Sequence, residues 1–246
     1  MSDKFQDILN EIKSNKAVVT VDTLTKPGVK LSPLTLAQQK KIIESAGDET
    51  LAVLFFNTIF YSILKENIIN DNINNFNTVD RVQMALALRN YLNNEVEIDD
   101  GSKINLNEII SRNKEINETL EPEEIIEDNF TFQVAAPSLE LDEKINKILL
   151  NKYKNSNLNE NKLKNLISDL YVYEITKFIT RIKINEAELI VHDNINISVE
   201  ILEKIDTKIF GKITEYINKT RDLEAKYAKF ITGDETIEIT PNLFIL

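Results

Sequence analysis

Apolar positions along this chain fall into two periods, and the longer one dominates. From Asp3 to Asn15 the residues Phe5, Ile8, Leu9 and Ile12 share one helical face. From Thr78 to Asn94 a helical pattern places Val79, Val82, Ala85, Leu86 and Tyr91 toward a core. Two further stripes run at spacings of three and four: Ile167, Tyr171, Ile175, Phe178 and Ile182, then Ile205, Ile209, Ile213, Ile217, Thr220, Leu223 and Tyr227. Each calls for a packing partner. Between Asp48 and Ile69 apolar residues occupy nearly every face, the mark of a helix surrounded by others. Its longest apolar run, Leu51 to Leu64, is shorter than the about 18 residues that span a bilayer and is interrupted by Asn57, so no membrane span is expected.

The shorter period appears in hairpins. Val18 to Leu24 alternates, Pro27-Gly28 suits the centre of a type II turn, and Val29 to Leu34 returns as a partner that Pro33 confines to an edge or an end. Thr35 and Gln38 then form a capping-box pattern, which predicts a helix from Leu36 to about Ala46, ended by Gly47-Asp48. Glu95 to Leu106 switches to period two around Asp100-Gly101, a second hairpin. Ser111 to Asn129 is polar and acidic and reads as a connection, Phe130 to Val134 as a strand returning to the same small sheet, and Ser198 as a helix cap. After Gly233 a short alternating strand leads to an apolar tip. The composition shifts near Pro137, which divides a mixed helix and hairpin region (1–136) from a helical region ending in a short strand (137–246); whether these form one integrated domain is left open. The expected class is α+β, predominantly α-helical, with a small antiparallel β-sheet formed by hairpins.

Composition adds exclusions. A hydrophobic content of 42% in 246 residues supports a real core. With no Cys there is no disulfide framework and no thiolate chemistry, which fits a reducing cytosol. A net charge of -11 argues against nucleic acid as a partner, because phosphate binding depends on Lys and Arg; the lysines of Lys144 to Lys164 are diluted by acids and Asn and read as a solvated face. The opening MSDKFQDILNEIKSNK lacks the charged start and apolar middle of a secretion signal. The abundance of Asn, Ile and Lys reflects AT-rich codons more than chemistry.

Candidate chemistry is sparse. The single histidine, His192, lies beside Asp193, but no cysteine and no G-x-S-x-G nucleophile turn accompanies it. No phosphate-binding glycine loop occurs. The acids around Asp99 do not have calcium-loop spacing, and Glu121, Glu123, Glu124, Glu127 and Asp128, the only dense carboxylates, sit in a polar run with few aromatics for sugar stacking. No metal site and no catalytic residue are assigned.

The stretch VKLSPLTLAQQKKII, from Val29 to Ile43, resembles the beginning of the baseplate hub and hub assembly proteins of T4-like phages, in which a P-x-T pattern precedes a polar helix. Ala85 to Ile98, Tyr173 to Ile182, and Ile209 to Tyr227 followed by IEITPNLF are similar to later parts of that family, in the same order. The resemblance implies a non-catalytic structural or assembly protein without a cofactor, whose partners are other hub proteins or further copies of itself. Its workplace would be the host cytoplasm during assembly, with the finished virion as a further place. An acidic module that sequesters a host or basic protein is the alternative, and a tail-associated hydrolase a third. A docking protein needs apolar surface, and the residues that read as such surface are Pro27, Val29, Leu31, Pro33 and Leu34 at the first hairpin and Leu243, Phe244, Ile245 and Leu246 at the tip. The hairpin reads as a β-edge that accepts a partner strand.

Overall fold

The computed structural model describes residues 17–47, 51–97, 101–127, 129–154, 160–230 and 235–245. The expected first helix at Asp3 to Asn15 and the final Leu246 lie outside them. The fold is a predominantly helical α+β arrangement with small antiparallel sheets, as the patterning predicts.

Strands β1 (Val19–Val21) and β2 (Val29–Leu31) form the first hairpin, with Val19 opposite Leu31 and Val21 opposite Val29. Gly28 takes a φ of 66°, the positive value that the Pro-Gly pair anticipates. Helix α1 (Leu36–Glu44) starts with the expected capping box: Thr35 Oγ1 accepts from the Gln38 amide and Gln38 Oε1 accepts from the Thr35 amide. Helices α2 (Ala52–Asn67) and α3 (Thr78–Leu92) follow. α3 is buried on nearly every face, with Asp80 and Arg89 enclosed, whereas Tyr91, expected inward, is exposed at its C-terminal end.

The second hairpin pairs β3 (Glu95–Glu97) with β4 (Lys103–Asn105) and leads into α4 (Leu106–Asn113). Beyond it, three expectations are corrected. The acidic run does not connect elements as a loop: β5 (Glu123–Glu127) is a strand because Ile125 alternates into the core while Glu123 and Glu127 meet Lys219 at 2.7 Å and Lys212 at 2.6 Å. β6 (Phe130–Val134) joins a separate four-stranded sheet, order β5-β6-β7-β8, and does not return to either hairpin. The stripe from Ile167 to Ile182 is not one helix: after α5 (Leu139–Tyr153), helix α6 (Glu160–Thr176) stops. The β-branched run that follows forms β7 (Ile179–Ile184), paired with β8 (Ala187–Ile190). Pro137, at the composition shift, therefore lies between two neighbouring strands of one sheet.

Helix α7 (Ile195–Leu202) encloses Ser198, whose hydroxyl donates to the Asn194 carbonyl; this residue is interior and does not cap the helix. The second stripe is realised in α8 (Thr207–Ala228), where Ile209, Ile213, Ile217, Thr220, Leu223 and Tyr227 are all buried. This helix joins two cores. Its first half packs Ile209, Ile213, Tyr216 and Ile217 against Phe132, Val134 and Ile182 of the four-stranded sheet. Its second half puts Leu223, Tyr227 and Ala228 among α2, α3 and the first hairpin. A third core gathers Leu54, Ile145, Leu149, Leu166 and Tyr173 from α2, α5 and α6. No helix among the described residues is long and apolar enough to cross a membrane.

Candidate functional site

The residues expected to offer apolar surface mostly do not. Val29 and Leu31 are fully buried, Leu34 nearly so, and Leu243 and Phe244 lie in the same core. Pro33 is half-buried; among the described candidates only Pro27 and Ile245 are exposed. The reason is local. The tip folds into a 3-10 turn at Pro241–Phe244, where the Phe244 ring packs 5.5 Å from Phe60, Gln39 Nε2 donates to the Phe244 carbonyl at 2.8 Å and Arg89 Nε donates to the Leu243 carbonyl at 2.6 Å. As free surface, the set Val29, Leu31, Leu34, Leu243 and Phe244 is thereby corrected to core.

The hairpin nevertheless has an open edge, on the other strand. β2 is enclosed on both sides, because its outer edge takes the end of α2: the Ile69 amide donates to the Lys30 carbonyl at 2.9 Å, the Ser32 amide donates to the Asn67 carbonyl at 2.8 Å, and the Lys30 amide donates to Asn70 Oδ1 at 2.8 Å. Both backbone groups of Lys30 thus point away from β1. Thr20 stands opposite Lys30 in an antiparallel pair, so its own N–H and C=O point away from β2. Among the described residues β1 has no second neighbour there.

Two residues on, the edge closes. Gln83 of α3 accepts the Leu24 amide at 2.8 Å and donates to the Asp22 carbonyl at 3.2 Å, a side chain standing where a neighbouring strand would be. Asp80 anchors the same loop by accepting from the Thr25 amide at 3.0 Å and the Thr25 hydroxyl at 2.8 Å; burial raises its carboxyl above the usual range despite these donors. Beside the open part lies a groove of about 370 Å³, whose apolar wall includes Val21, Leu24, Leu86, Ile110, Ile116 and Tyr227.

A second arrangement escaped the sequence reading altogether. Tyr61 of α2 is fully buried and its hydroxyl donates to Asp142 Oδ2. Arg81 Nη1 donates to the same hydroxyl at 2.9 Å and to Asn57 Oδ1 at 3.0 Å, and Lys177 Nζ donates to Asp142 Oδ1 at 3.2 Å and pairs with Glu174 at 2.6 Å. Burial would raise the Asp142 carboxyl, but the charges of Lys177 and Arg81 and the Tyr61 hydroxyl outweigh it and hold it below the usual value. Burial likewise opposes the Lys177 charge, and Asp142 with Glu174 reverses this and raises it. Burial keeps the Tyr61 hydroxyl well above its ordinary range. The shifts of Tyr61, Asp142 and Lys177 all run away from neutrality, which suits a cluster of fixed charges.

The remaining sequence candidates are dispersed. His192 is half-buried in a 3-10 turn, with Lys144 Nζ 2.9 Å from its Nε2, Glu140 at 3.4 Å and Asp193 at 3.3 Å, so its neighbours are ions and not a nucleophile. Glu121, Glu123 and Glu124 are exposed on or beside β5. Of the DDG turn, Asp99 and Asp100 lie outside the described residues and Gly101 takes a φ of 79°. Comparison with protein-family models, with curated proteins and with solved structures finds no match to this chain.

Proposed function

We propose that this chain is a non-catalytic structural or assembly protein of a phage tail baseplate hub, which docks an extended segment of another hub protein on the outer edge of β1. The observation that carries this reading is the outward-facing N–H and C=O of Thr20, standing beside an apolar groove while the opposite edge of the hairpin is already occupied. An added strand takes its affinity from such backbone groups and its specificity from side chains placed in neighbouring pockets. Val18, half exposed at the start of the edge, supplies the first apolar contact. The resemblance of Val29 to Ile43 to hub proteins supports the choice of partner, and the shifts of the Tyr61 cluster away from neutrality favour docking over chemistry.

Thr20→Pro tests the reading directly. Proline removes an N–H that makes no bond within the hairpin, so the fold is retained while a partner strand loses a donor and meets the ring. Affinity purification from infected cells with wild-type chain should recover hub proteins, identified by mass spectrometry, and the variant should lose them with its thermal unfolding unchanged. Recovery of hub proteins by the variant at wild-type levels refutes the edge as the docking site. Recovery of a host protein alone by the wild type refutes the hub assignment.

A further inference from the structure

The apolar pattern along α6 calls for a packing partner, and the fold supplies one for only part of it. Leu166, Tyr173, Ile175 and Thr176 are buried. Leu163, Ile167, Leu170 and Tyr171 are exposed, from 36% at Leu170 to 62% at Tyr171, and none of them belongs to a core among the described residues. Successive steps of four, three and one residues set these four on one side of the helix. Val53, exposed at the start of α2, borders with Leu170 a cavity of about 270 Å³ and carries the patch onto a second helix.

The size of the patch bears on what covers it. The five side chains leave roughly 500 Å² open, in the upper part of the about 300–600 Å² that the largest patch of a monomer exposes. Two such patches set face to face would remove about 1,000 Å² of apolar surface, and a polar rim brings the total to the about 1,200–2,000 Å² of a specific interface. The face is therefore large enough to hold a copy of itself.

Charge decides the orientation. The start of the helix carries Lys162 and Lys164. Lys164 pairs with Glu160 at 2.7 Å, but both side chains are more than two-thirds exposed, so the pair is weak and can exchange partners. Two carboxylates stand toward the other end: Glu174, which meets Lys177 and Arg221, and Glu224 of α8, which borders the same cavity and makes no ion pair among the described residues. Parallel copies would set lysine on lysine. Antiparallel copies set the lysines of each on the carboxylates of the other.

We propose that the exposed face of α6 binds a second copy of this chain, antiparallel, about a two-fold axis beside Leu170. Ile167 of each copy then faces Tyr171 of the other, and Lys164 faces Glu174 and Glu224, the reciprocal pattern that an isologous contact requires. Leu170 lies close to its own mate. The two Leu163 side chains stand about 18 Å apart along the pair, at the helical rise of about 1.5 Å per residue. These residues are separate from the β1 edge, and neither reading depends on the other.

Sedimentation equilibrium of the full chain should show a monomer and dimer in exchange, with a Kd on the order of 10 µM. Ile167→Glu and Tyr171→Glu should each raise that Kd at least about tenfold and leave the circular dichroism unchanged, because both side chains are exposed in the monomer. The chain has no Cys, so a single introduced thiol reports its own surroundings. Leu170→Cys should give a disulfide-linked dimer on mild oxidation, and Leu163→Cys should not. A wild-type chain that stays monomeric to about 200 µM, well above that Kd, overturns the proposal. In that event, loss of a hub protein from the Ile167→Glu pull-down assigns the face to another protein, and dimers that form once residues 1–16 are removed assign it to this chain's own first segment. Dimers that form equally well in both glutamate variants overturn the placement on α6. Cross-linking of Leu163→Cys as readily as Leu170→Cys overturns the antiparallel arrangement. Should a glutamate variant fail to fold, the wild-type measurement and the two cysteine variants decide the matter.

Discussion

Phe244→Ala separates a core tip from a docking tip. The ring is fully buried, with centroids 5.5 Å from Phe60 and 6.4 Å from Phe56, in a cluster where Phe56 and Phe60 themselves stack at 5.5 Å. Truncating a buried phenylalanine costs about 3–5 kcal/mol, the transfer of the ring out of water plus the cavity left behind. The upper part of that range applies here, because the ring's two aromatic partners lose their edge and face contacts as well. For a chain of this size each kcal/mol moves the thermal midpoint by about 2–4 °C, so a loss of about 4–5 kcal/mol should lower the variant's midpoint by about 8–20 °C. Ile245→Ala is the internal control: its side chain is 49% exposed, and the change should stay within about 0.5 kcal/mol. Calorimetry on the full chain, with urea midpoints as a second measure, reads both. A midpoint within about 2 °C of wild type for Phe244→Ala would refute the placement of the tip in the core.

Four other outcomes follow from named contacts. Arg89 lies under the tip with its guanidinium on the Leu243, Asn93 and Glu95 carbonyls, a fork that an ammonium cannot reproduce; Arg89→Lys should cost about 2 kcal/mol in urea unfolding. Gly28→Ala meets no atom within 4 Å, so its penalty is purely the positive φ, about 1 kcal/mol, whereas Gly47→Ala, equally uncrowded and without a positive φ, should stabilise by about 0.5 kcal/mol. Asp142 has its folded pKa depressed, so its contribution is present above the ordinary carboxylate value of 3.8 and is lost as pH falls through the lower folded value; Asp142→Asn should flatten the acid limb of a stability profile measured between pH 2 and 5. Lys177→Met leaves Glu174 and Asp142 short of a cation and should cost about 3 kcal/mol by thermal unfolding.

The parts of the fold that were legible in the sequence are those in which local chemistry and packing agree. Thr35 with Gln38 and the stripe from Ile209 to Tyr227 each specify their structure within a few residues and appear as expected, and Gly28 takes the positive φ that Pro27-Gly28 calls for. The illegible parts depend on distant neighbours. Ile175, Phe178 and Ile182 satisfy a helical spacing by coincidence, and β7 forms because β6 is there to pair with it. β5 reads as a solvated acidic run until Lys212 and Lys219, some ninety residues later, neutralise its rim. The tip looked available because apolar residues at a chain end have no visible partner in one dimension; Phe56 and Phe60 supply it in three. The Tyr61 cluster left one signal that was not used. TVDRVQMALALRN sets Asp80, Arg81 and Arg89 into a helix apolar on almost every side, and ionic groups so placed must find partners inside the protein.

The position of that cluster gives it a role beyond its net energy. Replacing a buried ion network by apolar groups of the same shape is often neutral or stabilising, so stability alone does not account for Arg81, Asp142 and Lys177. They stand where the three cores meet. Tyr61 and Arg81 belong to the helices that carry the first hairpin, Asp142 to α5 of the third core, and Lys177 to the turn between α6 and the four-stranded sheet. Apolar surfaces alone would let these bodies slide against one another at little cost, because hydrophobic contact is not directional. A carboxylate that must accept from Tyr61 and Lys177 at once admits one register, since any slip leaves a buried charge unpaired. The same constraint fixes α3, and through Gln83 and Asp80 it fixes the loop that closes one end of the β1 edge. A docking strand would therefore meet an edge whose place is set from the interior, so little ordering remains to be done when the partner arrives.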